Sequence, residues 1–72
     1  MKASSYVLCI NNRNYRASLE VGKVYRLLRD ADAARHNQVR VIDESGEDYL
    51  YPRERFVPIV VPSVARKVLQ AV

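Results

Sequence analysis

The chain has no tryptophan, and only one cysteine, one histidine, one phenylalanine and two glycines among its 72 residues. A lone cysteine excludes an intrachain disulfide, and its apolar neighbours Leu8 and Ile10 place Cys9 in a packed strand rather than at a reactive surface. That usage favours a reducing cytoplasm. One histidine, His36, without a second histidine or a spare cysteine leaves no set of metal ligands. No glycine-rich phosphate loop and no serine motif is present, so no catalytic residue, metal or cofactor is expected. The apolar run after Lys2, "YVLCI", is too short for a signal peptide, and no segment approaches the ~18 residues that cross a bilayer. The expectation is an unexported, cytoplasmic protein with no membrane partner.

What is present is a single small domain. A chain this short buries only about 60% of the surface that its unfolded form exposes, so a deep, water-excluding active site is not expected. "YVLCI", 6–10, is rich in strand formers and ends at "NNRN", a cluster suited to a turn. "QVRVI", 38–42, alternates before "DESGED", and "YLY" follows, which makes 38–51 a hairpin. "RFVPIVV", 55–61, is a further strand in which Pro58 marks an edge or a bulge. After Pro62, Ser63 caps "VARKVLQAV", whose apolar positions 64, 65, 68, 69 and 72 form one stripe suited to plugging the end of a barrel.

Residues 19–37 are ambiguous, because Val21, Val24, Tyr25 and Leu28 fall at helical spacing while "VYRLL" also serves as a strand. Gly22 and the β-branched valines weaken a helix at its start. The preferred reading is a turn at Glu20–Lys23, a strand near 24–29 and a helical turn within 30–36, ended by Asn37 in the left-handed conformation.

Charge is unevenly placed. Residues 43–48 hold Asp43, Glu44, Glu47 and Asp48 with no base, so twelve bases against the other four acids leave +8 on the remainder, most of it arginine. A basic surface favours acidic partners through attraction that salt screens. The acidic turn has calcium-loop spacing at Asp43, Ser45, Glu47 and Glu54, but its glycine is fourth rather than sixth, which points to a solvated hairpin tip. Alternation with Leu50 and Val57 inward would leave Tyr49 and Tyr51 as a surface pair.

Two segments carry a resemblance. "ASLEVGKVYRLL" resembles the diverging turn and second strand of SH3-like barrels. "YLYPRERFVPI" resembles their later strand, single helical turn and closing strand, so with the hairpin the likeness covers residues 17–60. The whole chain is also similar to a group of small bacterial proteins with a comparable "RVIDESGEDYLYP" segment, which implies a bacterial source and a barrel but no activity. By the resemblance to peptide-binding SH3 domains, Pro52 matches the proline of the ligand face and Phe56 its aromatic. Three residues separate them where that motif has two, and the tryptophan and the long acidic first loop are missing. Those departures argue against proline-rich ligands.

The sequence reading is therefore a mainly β single domain, 1–72: a five-stranded SH3-like small barrel over about 5–61 with a short C-terminal α-helix over about 63–71. Its expected function is a non-enzymatic interaction module that offers a protein partner Tyr49, Tyr51, Pro52, Arg53, Arg55 and Phe56 beside the 30–37 loop, since interfaces favour aromatic residues and arginine. The alternative is binding of RNA or single-stranded DNA, with Arg13, Arg16, Arg26, Arg29, Arg40, Arg53 and Arg55 on phosphates and an exposed tyrosine stacked on a base.

Overall fold

Strand-forming runs separated by turn residues give five strands and two helices. The structure, a computed structural model, describes residues 5–71, with side chains as far as Leu69. Strands β1 (Ser5–Cys9) and β2 (Val24–Leu28) are followed by a short helix α1 (Ala31–Arg35), then β3 (Gln38–Ile42) and β4 (Asp48–Pro52). A single 3-10 turn (Arg53–Arg55), β5 (Phe56–Ile59) and helix α2 (Ser63–Ala71) complete the order. All pairings are antiparallel in one sheet ordered β4-β3-β2-β1-β5, so β4 and β5 are its edges. No helix among the described residues is long and apolar enough to cross a membrane.

Residues with positive φ stand where the chain reverses. Gly22 (φ 87°) closes the turn into β2, donating its N–H to the Cys9 carbonyl at 2.8 Å. Gly46 (φ 85°) closes the tight turn between Asp43 and Glu47, donating its N–H to the Asp43 carbonyl at 3.0 Å, in a hairpin type that needs a left-handed residue there. Asp30 caps α1 by accepting the Ala33 N–H at 3.0 Å, and Asn37 (φ 56°) follows that helix as its left-handed stop. The strand reading of "VYRLL" and the helical turn within 30–36 both agree with these elements.

Register decides which side chains are inside. Val41 is fully buried, and Tyr51 lies opposite Val39 on the same face, so Tyr51 points inward. Phe56 lies opposite Cys9 and does likewise. Val7, Cys9, Leu19, Tyr25, Val41, Tyr51 and Phe56 form the core, with Tyr15, Leu27 and Val39 packed against it. Leu50, opposite Arg40, and Val57, opposite Leu8, face outward at 42% and 37% exposure. Two sequence expectations are corrected here: Leu50 and Val57 are outside, and Tyr51 is core rather than half of a surface pair.

Helix α2 departs from its expected place as well. Arg66 lies over the Tyr6 ring at 5.6 Å, and Leu69 shares a cleft of 310 Å³ with Tyr6, Val24 and Ile42. Tyr6 alternates with the core residues Val7 and Cys9, so the helix lies on the opposite sheet face. Ala65 and Leu69 are half-buried while Val64 and Val68 stay exposed, and position 72 lies outside the described residues. Ser63 is the first helical residue rather than the cap: the Arg66 N–H donates to the Pro62 carbonyl at 3.0 Å.

Candidate interaction face

The loop from β1 to β2 is built from its asparagines. Asn11 accepts the Arg13 N–H at 2.9 Å, Asn14 takes a left-handed φ of 73°, and the Asn12 amide donates to the Leu19 carbonyl at 3.0 Å. The Tyr15 carbonyl accepts the N–H groups of Ser18 and Leu19 at 3.0 and 2.8 Å. Folded on itself in this way, the loop sets Tyr15 edge-on against Tyr51, with ring centroids 5.0 Å apart. The Arg55 guanidinium lies 5.7 Å from the Tyr15 ring centre, and Arg13 and Arg16 flank Tyr15 in the chain. Tyr15 is the residue that sequence reasoning missed. Its only signal was an aromatic between two arginines in a polar loop.

The acids of the β3–β4 turn do structural work. Asp43 is 6% exposed and accepts the Tyr51 hydroxyl at 2.5 Å and both the N–H and hydroxyl of Ser45, at 2.9 and 2.6 Å. Glu44 accepts the Tyr25 hydroxyl at 2.5 Å and pairs with Lys23 at 2.7 Å. Its N–H donates to the Ser18 carbonyl at 3.0 Å, and the Tyr51 hydroxyl lies 2.8 Å from Ser18 Oγ. The turn thus latches the β1–β2 loop over the core, and only part of it is a solvated tip. Among the described residues, no cluster of acids, histidine and cysteine is arranged to hold a metal ion.

These contacts set the titration behaviour. Burial works to raise the Asp43 pKa, but hydrogen bonds from Ser45 and Tyr51 outweigh it and hold the carboxyl below its ordinary value. Lys23 and Tyr25 lower Glu44, and the Ala33 N–H and Arg40 lower Asp30. Burial, then the bond to Asp43, pushes Tyr51 up to about 12, and burial with Glu44 raises Tyr25. The lowered carboxyls contribute stability above their unfolded pKa values, which is lost as pH falls through the native ones. The raised tyrosines contribute stability below an unfolded pKa near ~10, lost as pH climbs through the native values. The urea midpoint is therefore expected to be flat from about pH 5 to 9 and to fall on both sides. A midpoint still rising between pH 9 and 11 would contradict the tyrosine assignments.

The expected partner face is only partly assembled. Tyr51 and Phe56 are in the core at 4% and 7% exposure and cannot present rings to a partner. Pro52 is half-buried, Arg53 exposed and Arg55 half-buried. The Arg53 N–H donates to the Asn37 carbonyl at 3.0 Å, which brings the 3-10 turn beside the end of the 30–37 loop. Tyr49 is half-exposed near the acidic turn, its hydroxyl 3.2 Å from Glu47.

The arginines divide. Arg40 lies between Asp30 and Asp48, at 2.8 and 2.9 Å, and Arg35 pairs with Asp32. Arg26 and Arg40 belong to the sheet face opposite the core. Arg13, Arg16, Arg53 and Arg55 have no carboxylate at ion-pair distance among the described residues. The larger cleft, 850 Å³ beside α1, includes Asp30 and Arg40, whose charges pair with each other. Comparison of the chain with models of protein families, with curated proteins and with solved structures finds no match.

Proposed function

We propose that this protein is a non-enzymatic SH3-like small barrel that binds an acidic protein segment at the arginines around Tyr15. The strand order and the single helical turn before β5 support the barrel reading, in agreement with the resemblance over residues 17–60. One observation carries the binding reading: among the described residues Arg13, Arg16, Arg53 and Arg55 have no carboxylate at ion-pair distance, whereas Asp43, Glu44 and Asp48 are engaged within the fold. The exposed Arg13, Arg16 and Arg53 supply bidentate donors, and the half-buried Arg55 and Tyr15 add apolar area. The pairing of Glu44 with Lys23 and of Asp48 with Arg40 offsets part of the repulsion that those acids would offer an incoming carboxylate.

Nucleic acid is the second reading, favoured by the Arg55 guanidinium over the Tyr15 ring, since stacked aromatic and arginine groups also grip single strands. One titration separates the two. A fluorescent polyglutamate peptide and a labelled single-stranded RNA are each titrated at rising salt, with wild type and with Arg13→Glu/Arg16→Glu. Peptide binding that weakens with salt and falls at least about tenfold in the double variant is expected. Binding of the RNA alone makes nucleic acid the ligand class. A salt-insensitive or variant-insensitive interaction, with the variant folded, rejects this face.

A further inference from the structure

Strand β4 is an edge of the sheet, and its pairing with β3 fixes which of its backbone groups are free. The Asp43 N–H donates to the Glu47 carbonyl and the Arg53 N–H to the Asn37 carbonyl, at the two ends of the β3–β4 ladder. Antiparallel pairs alternate between bonded and non-bonded, so Tyr49 and Tyr51 turn their amides toward β3 while Asp48 and Leu50 turn theirs outward. Among the described residues no backbone acceptor within the chain takes the Asp48 or Leu50 N–H. The side chains here are also uncovered, with Tyr49 at 50% and Leu50 at 42% exposure.

An open edge that carries exposed apolar residues is a template for another strand. We propose that the occupant is a second copy of this chain, pairing β4 antiparallel to β4 about a two-fold axis at Leu50. In that register the two Leu50 residues face each other and exchange both backbone hydrogen bonds. Asp48 lies opposite Pro52 of the other copy and donates its N–H to the Pro52 carbonyl, a pairing that asks nothing of the missing proline N–H. Tyr49 lies opposite Tyr51, so its exposed ring is covered by the other copy's strand.

Charge selects the same register. Beyond the ladder Glu47 falls opposite Arg53, once on each side of the axis. Among the described residues Arg53 has no carboxylate partner, and the Glu47 carboxylate holds only the Tyr49 hydroxyl. A shift by two residues, centred on Tyr51, would keep a Glu47–Arg pair through Arg55 but set Asp48 against Glu54, which like-charge repulsion opposes. Each copy then supplies the same patch to the other, as a closed two-fold interface requires. The inference uses Arg53 but neither Arg13, Arg16 nor Arg55, so it stands or falls separately from the acidic-partner reading.

Sedimentation equilibrium of the full chain over a wide concentration range tests it. Wild type should move from 8.3 kDa toward twice that mass. Glu47→Arg and Arg53→Glu should each weaken association at least about tenfold, and the double reversal should restore it, because the cross-axis pair is rebuilt with its signs exchanged. Val64→Lys/Val68→Lys, on exposed helix positions outside the β4 ladder, should dimerise as wild type does. Circular dichroism on every variant separates lost association from lost fold. A monomer at all concentrations, a dimer indifferent to both single reversals, or a dimer abolished only by the helix variant overturns the proposal.

Discussion

Leu19→Ala is expected to leave the domain largely unfolded at room temperature. Leu19 is 1% exposed and belongs to the core although it sits in a loop rather than a strand. Truncating a leucine in such a site costs about 2–5 kcal/mol, through lost burial plus whatever cavity remains. A domain of this size rarely holds more than about 3–5 kcal/mol in all. The cavity should persist, because the backbone around Leu19 is pinned. Its N–H donates to Tyr15, its carbonyl accepts from Asn12, and the neighbouring Ser18 carbonyl accepts from Glu44. Far-ultraviolet circular dichroism and a urea titration check this, with Val21→Ala as control. Val21 is 53% exposed two residues on, and its truncation should stay within about 0.5 kcal/mol of wild type. A cooperative Leu19→Ala transition less than about 1 kcal/mol below wild type would mean that the loop collapses onto the space.

The strands were legible because their signals are local: apolar runs bounded by Gly22, Asn37 and Gly46, each of which takes the positive φ that its turn needs. Orientation was not. Alternation relates Leu50 to Tyr51 but leaves open which of them faces the core, and the pairing of Tyr51 with Val39 supplies the missing fact. The same gap put Val57 inside and Phe56 in the partner face. Tyr15 escaped notice because a loop aromatic has no period to betray it. The Asp43 and Glu44 roles were hidden for another reason. Their partners Tyr51 and Tyr25 stand 8 and 19 residues away, and only the pairing of β3 with β4 and with β2 brings them within reach. With Asp43 buried and Glu44 paired to Lys23, the arginines near Tyr15 stand out as charge without a carboxylate partner among the described residues.

Asp43→Ala should cost about 1–3 kcal/mol, because it removes the charged acceptor of the buried Tyr51 hydroxyl, which keeps only Ser18 Oγ, and breaks both bonds from Ser45. Tyr51→Phe removes the donor instead and leaves Asp43 its two bonds from Ser45, so about 1–2 kcal/mol is expected. Combined, the two changes should cost less than their sum by about 1 kcal/mol or more, since each alone already destroys the shared bond. The pH dependence tells a charged acceptor from a merely packed side chain. At neutral pH wild type has the ionised carboxylate, whose native pKa lies below its ordinary value. As pH falls through that native value wild type loses the contribution, while the alanine variant has none to lose. The stability gap between them should therefore be widest near neutrality and close toward acid. A gap that stays constant into acid would assign Asp43 a packing role, and the latch over Leu19 would then rest on Glu44, Tyr25 and Lys23.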